Sequence, residues 1–125
     1  MKIVKAPKNG IPNYRFPDHI KNDTFDGIEF QILGLLDGLP VDITDTAIQM
    51  DFKLTKTSSA ALTFSTTNGL ISITSGSDGE FKINSSIVTI DAGVYLYDAE
   101  FTYPNTEVKT YFDGNWVIVQ DITNG

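Results

Sequence analysis

The chain has 125 residues, 41% of them hydrophobic and 20% charged, with a formal net charge of −7 and no cysteine. That length fits one domain around a single core, and the composition excludes wholesale disorder. Without cysteine there is no disulfide framework, thiolate zinc site or cysteine nucleophile. The acidic balance argues against nucleic acid as a partner, because phosphate contacts need a basic face.

The charge is unevenly placed. Residues 1–21 hold Lys2, Lys5, Lys8, Arg15 and Lys21 against Asp18 alone, a balance of +4. Residues 22–125 hold four basic and fifteen acidic residues, a balance of −11. No apolar run approaches the roughly 20 residues of a membrane span, and no apolar stretch of a secretory signal follows the first lysines. The chain is therefore expected to have no membrane partner and to stay in the cytoplasm until an assembly or release step.

Pro7, Pro12 and Pro17 recur at five-residue spacing in the N-terminal segment. Proline lacks the amide donor and fixes φ, so this stretch is predicted to be neither helix nor central strand. It reads as an extended arm over residues 1–21, anchored by Tyr14, Phe16 and Ile20. A basic leader on an acidic body is the pattern of an interaction tail. Lys2, Lys5, Lys8, Tyr14, Arg15, Phe16, Ile20 and Lys21 are the candidate partner-binding residues, with the body folding independently of them.

Strands follow. The first covers residues 23–33, with Phe25, Ile28, Phe30 and Ile32 as apolar contacts and Gly27 at a bulge or close backbone approach. Asp37-Gly38 marks a turn. Ala47 to Leu54 alternates with period two: Ile48, Met50, Phe52 and Leu54 share one face, Gln49, Asp51 and Lys53 the other. Residues 55–60 read as a loop. Short strands at 61–65 and 70–74 flank a Thr67-Asn68-Gly69 turn, and residues 75–79 read as the most flexible link. A strand at 80–84 comes next, while 85–92 fits either a strand or a one-turn crossover. Gly93 onward and Gly114 onward form a long hairpin broken at Pro104-Asn105-Thr106.

Seven or eight short strands with turns every 8–12 residues predict an all-β, antiparallel immunoglobulin-like β-sandwich over residues 22–125. A small closed barrel is the alternative. The predicted core contains Ile48, Met50, Phe52, Tyr97, Phe101, Trp116 and Ile118.

Catalytic chemistry finds little support. Asp42 and Asp45, Asp23 and Asp26, and Ser77 to Glu80 lack the roughly six regularly spaced oxygen ligands of a calcium loop, and read as turn caps. Asp98 and Glu100 share the face opposite the hairpin's aromatics, where outward charge keeps a sheet soluble; the glycosidase pairing of two carboxylates is the rival reading. His19 lies in the arm, a poor place for a rigidly held base. No enzyme activity, metal or cofactor is expected. Tyr95, Tyr97, Phe101 and Tyr103 share one strand parity, which favours an inner face over a sugar-stacking platform.

Four stretches carry a resemblance: Asn22-Asp23-Thr24-Phe25; Gly38 to Thr44 followed by Ala47 to Met50; Gly93 to Asp98; and Gly114 with Val117, Val119 and Asp121-Ile122-Thr123. Their order resembles the immunoglobulin-like β-sandwich domain near the N-terminus of upper baseplate proteins of some tailed bacteriophages, also found as small stand-alone proteins of phage tail gene clusters. This chain departs from that pattern at Asn22 and Asp45, where glycines are expected, and the basic arm lies outside it. The resemblance implies a virion structural protein made in the host cytoplasm, contacting other virion proteins and copies of itself around a symmetric hub. A carbohydrate-binding or host-adhesion module and a capsid decoration protein are the alternatives.

Overall fold

A computed structural model describes residues 2–6 and 12–122, with strands, turns and loops and no helix among them. Pro7, Lys8 and Gly10 of the predicted arm lie outside the described residues. The strands in chain order are β1 (Lys2–Ala6), β2 (His19–Ile20), β3 (Thr24–Phe25), β4 (Ile28–Gly34), β5 (Ala47–Phe52), β6 (Leu62–Ser65), β7 (Ile71–Ser75), β8 (Glu80–Ile83), β9 (Ser86–Ile87), β10 (Gly93–Thr102) and β11 (Val108–Val119). They form a four-stranded sheet in the order β1-β4-β8-β7, a five-stranded sheet in the order β2-β11-β10-β5-β6, and a short β3-β9 pair.

Period-two alternation sets which faces meet. β10 buries Tyr95, Tyr97, Ala99 and Phe101, and β11 buries Phe112, Gly114, Trp116 and Ile118. Tyr95 stands opposite Trp116 and Tyr97 opposite Gly114 in their antiparallel ladder. Phe30 of β4 and Phe81 of β8 meet this face from the other sheet, 5.0 Å from Phe112 and 5.6 Å from Phe101 between ring centroids. All seven predicted core residues are buried. Leu54 is 57% exposed, because β5 ends at Phe52.

Two expectations change and one open reading is resolved. β1 runs parallel to β4 and β2 parallel to β11, so the arrangement is not wholly antiparallel. Hairpin neighbours must be antiparallel, but a segment arriving from elsewhere in the chain is under no such constraint. Residues 75–79 form no loose link: the carbonyls of Gly76 and Gly79 accept hydrogen bonds from Ile43 and Ile32, both at 2.9 Å. Within 85–92, β9 pairs with β3, and Val88 is buried. The close approach predicted at Gly27 is present, since a Cβ there would overlap the Ile83 carbonyl.

The largest difference concerns the arm, which shows no break in packing at residue 21. Phe16 has no exposed surface, with its ring 5.0 Å from Trp116, 5.1 Å from Tyr97 and 5.6 Å from Phe52. Tyr14 and Phe16 donate their amides to Asp113 and Asn115 of β11, at 2.7 and 3.0 Å. Prolines are tolerated at such a sheet edge because only alternate amides face the partner strand. Pro17 falls between donors and offers its carbonyl to the Trp116 indole at 2.9 Å. Gly114 permits this contact, for a Cβ there would overlap the Tyr14 carbonyl.

Phe16→Ala should therefore destabilise the protein by about 3–5 kcal/mol, as should Phe52→Ala and Trp116→Ala, each by opening a core cavity. Urea unfolding checks this, and an unchanged midpoint for Phe16→Ala would place that ring outside the core. Deleting residues 1–21 should lower the midpoint at least as far.

Candidate functional site

The eight predicted partner-binding residues do not form one free surface. Phe16 is enclosed by its own chain. Arg15 pairs with Asp18 at 2.7 Å and Lys21 with Asp91 at 3.0 Å, both surface contacts of little energetic weight. The Lys2 ammonium lies 5.7 Å from the centre of the half-buried Tyr14 ring. Ile20 is 46% exposed. Lys5 lies on β1, and Lys8 falls outside the described residues.

Two of the acidic candidates, Asp42 and Asp78, are held as local caps. Asp42 accepts hydrogen bonds from the Thr44 hydroxyl at 2.6 Å and the Thr44 amide at 2.9 Å. These bonds favour its charged form and hold its carboxyl below the usual range. Asp78 accepts from the Ser75 hydroxyl at 2.8 Å. His19 leans on Phe25 and Trp116 and contacts the Asp23 carbonyl through Nε2 at 3.0 Å. Among the described residues, no three histidine or carboxylate side chains are grouped to hold a metal ion.

The outer face of the five-stranded sheet, on which the sequence places Asp98 and Glu100, carries more than outward charge. The same alternation that buries Tyr95 and Tyr97 turns Val94, Leu96, Asp98 and Glu100 outward, beside Asp113, Asn115, Val117 and Val119 of β11. One end of this face is apolar: Val94 faces Val117 across the ladder, with Leu96, Val119 and Ile20 nearby on the same side. The signal was present in Val94-Tyr95-Leu96-Tyr97 and Trp116-Val117-Ile118-Val119, continuous apolar runs where alternation alone would give polar residues. In an antiparallel sheet with one solvated face, such outward apolar residues depart from the usual alternation of apolar inside and polar outside.

The other end is acidic. Asp98 lies directly opposite Asp113. Asp51 stands level with Asp98, between the pairings of Met50 with Ala99 and Lys53 with Leu96. Asp51 accepts from the Thr63 hydroxyl at 2.6 Å, and Asp113 from the Asn13 amide at 3.1 Å. The Asp98 and Glu100 carboxylates have no hydrogen-bond or ion-pair partner among the described residues. These carboxylates, with Lys53, Lys56 and Asn115, line a groove of about 600 Å³. The Asn115 side-chain oxygen is enclosed there without a partner.

Aromatic chemistry stays inside. Tyr95, Tyr97, Phe101 and Trp116 are all buried, so their ring faces serve the core. Tyr97 donates its hydroxyl to the Tyr14 carbonyl at 2.6 Å. Burial, with Tyr14 and Asp113 nearby, pushes its ionisation far above the usual tyrosine range.

No protein-family model matches the chain, and no curated protein matches it.

The Tyr97 hydroxyl ties stability to alkaline pH. Its folded-state pKa lies above the unfolded value of 10.0, so the folded form holds the proton more tightly. Its contribution is fully present below pH 10 and falls as pH rises further. Tyr97→Phe should cost about 1 kcal/mol at pH 7 through the lost hydrogen bond, and should flatten the alkaline decline. Urea midpoints across pH 7–11 measure both; parallel curves for the two proteins would contradict this account.

Proposed function

We propose that this chain is a non-enzymatic structural component of a tailed-phage virion, a tail, baseplate or fibre-associated protein that assembles with other virion proteins and copies of itself. The observation that carries the reading lies at two turn residues. Asn22 and Asp45 stand where the baseplate-domain resemblance expects glycine, and both have positive φ, 74° and 57°. That backbone region favours glycine and tolerates asparagine and aspartate best among other residues. The substitutions thus preserve the turn geometry that the resemblance requires.

Strand order supports the same reading. The orders β4-β8-β7 and β11-β10-β5-β6 are those of the B-E-D and G-F-C-C′ strands of an immunoglobulin-like sandwich, while β1, parallel to β4, and the added β2 depart from that antiparallel pattern. Resemblance stretches fall on the approach to β3, the β4–β5 connection, β10 and β11. The exposed apolar end of the outer face, with Val94 53% and Val119 41% exposed, is the kind of surface an assembly covers.

Gold labelling at the C-terminus, imaged on purified tailed particles, tests the proposal. We expect label at one fixed level of the tail or baseplate. Label on the capsid would favour the decoration protein, and its absence from intact particles would end the virion reading.

A further inference from the structure

We infer that the outer face of the five-stranded sheet docks a segment of another protein that presents an arginine beside large apolar side chains. The inference goes beyond the assembly reading by naming the partner's chemistry, and it stands whether or not the protein is found in particles.

The register builds a polar row straight across the sheet. Asn13 pairs with Asp113, Asp113 with Asp98, and Asp51 with Thr63, while Asp51 stands level with Asp98. Three aspartates therefore occupy consecutive strands, with neighbouring Cα atoms about 4.5–5.5 Å apart. Neutral donors hold the two outer ones. Asp113 accepts from the Asn13 amide at 3.1 Å, and Asp51 from the Thr63 hydroxyl at 2.6 Å and the Gln49 amide at 3.1 Å. The Asp98 carboxylate, between them, has no partner among the described residues. Like charges directly opposite each other destabilise a sheet, and Asp98 has one on each side.

The groove over this row is acidic on balance. With Glu100 it holds four carboxylates against Lys53 and Lys56, and neither lysine is ion-paired among the described residues. A metal ion does not suit it. Oxygen ligands must converge to about 2.3–2.6 Å from such an ion, and no three carboxylates among the described residues are grouped to do so. A guanidinium suits it well, being planar and permanently charged, with five N–H donors that can bridge carboxylates on neighbouring strands. Asn115, opposite Leu96 and one row from Asp98, adds an acceptor, because its side-chain oxygen is enclosed without a partner.

Apolar surface begins at that next row. Leu96 is 39% exposed, and Val94, 53% exposed, faces Val117 one row further on. Alternate residues of a strand lie about 7 Å apart, so these two rows stand about 7 and 13 Å from Asp98. An extended segment with an arginine, followed at alternate positions by two apolar side chains, meets both ends of the face. A second copy of this chain is a poor occupant. Residues 22–125 carry four basic against fifteen acidic side chains, and like charge across an interface is repelled.

The test titrates the capped pentapeptide RTVTL into the whole chain at low salt and follows backbone amide shifts by NMR. We expect saturable shifts centred on Leu96, Asp98, Asp113 and Asn115. Replacing the peptide's arginine by citrulline, its neutral isostere, should weaken binding roughly tenfold, and so should Asp98→Asn. Glu29→Gln, which removes one charge from the other sheet, should leave binding unchanged. Asp98→Asn should also raise the urea midpoint of the free protein, more at low salt than at high salt. Absence of saturable shifts, equal binding of the citrulline peptide, or equal weakening by Glu29→Gln overturns the inference. A midpoint that fails to rise in Asp98→Asn overturns it too, since the row would then carry no unrelieved charge.

Discussion

The fold depends on the passage of the Tyr14–Pro17 backbone across Gly114. A buried tyrosine hydroxyl or indole N–H needs an acceptor, because leaving it unmade forfeits about 1–3 kcal/mol of desolvation. Tyr97 and Trp116 find theirs in the carbonyls of Tyr14 and Pro17. Between those two acceptors, Phe16 enters the aromatic cluster formed with Phe25, Phe52, Tyr97 and Trp116. The N-terminal segment thus completes the polar satisfaction of the core as well as its packing. Gly114 is the residue that lets the backbone come close enough for both.

This arrangement distinguishes two parts of the N-terminal segment. Residues 12–21 are committed: they carry buried apolar surface and accept hydrogen bonds from inside the core. β1 is attached differently, through an edge ladder whose described side chains bury little beyond Val4. The outer face of the five-stranded sheet adds a second kind of surface, apolar toward Val94 and Val119 and acidic toward Asp98 and Asp113. A like-charged pair directly across a ladder is mildly unfavourable in a free monomer.

Much of the fold was legible in the sequence, and the reason is period-two alternation. Ile48, Met50 and Phe52 in β5, and the aromatic parity of β10, assign the inner face with no tertiary information. Turn chemistry at Asp37-Gly38 and at Asn68-Gly69 was equally local: Asp37 accepts the Leu39 amide and Asn68 accepts those of Ser65 and Leu70. The role of the N-terminal segment was not legible, because its prolines correctly exclude a central strand and are silent about an edge. One clue was available. Gly114 interrupts the strand it belongs to with no turn beside it, and a mid-strand glycine signals the close approach of another backbone. The apolar end of the outer face was not legible for a different reason: alternation assigns the buried parity, and it is silent about apolar residues of the opposite parity such as Val94 and Leu96.

The segment around Phe16 belongs to the cooperative core. Native-state hydrogen exchange at the Tyr14 and Phe16 amides, which donate to Asp113 and Asn115, tests it residue by residue. Both amides should open with the free energy of the β10–β11 ladder, because they can be released only when that core unfolds. Exchange of Tyr14 and Phe16 at loop-like rates, while the β10–β11 amides stay protected, would contradict it.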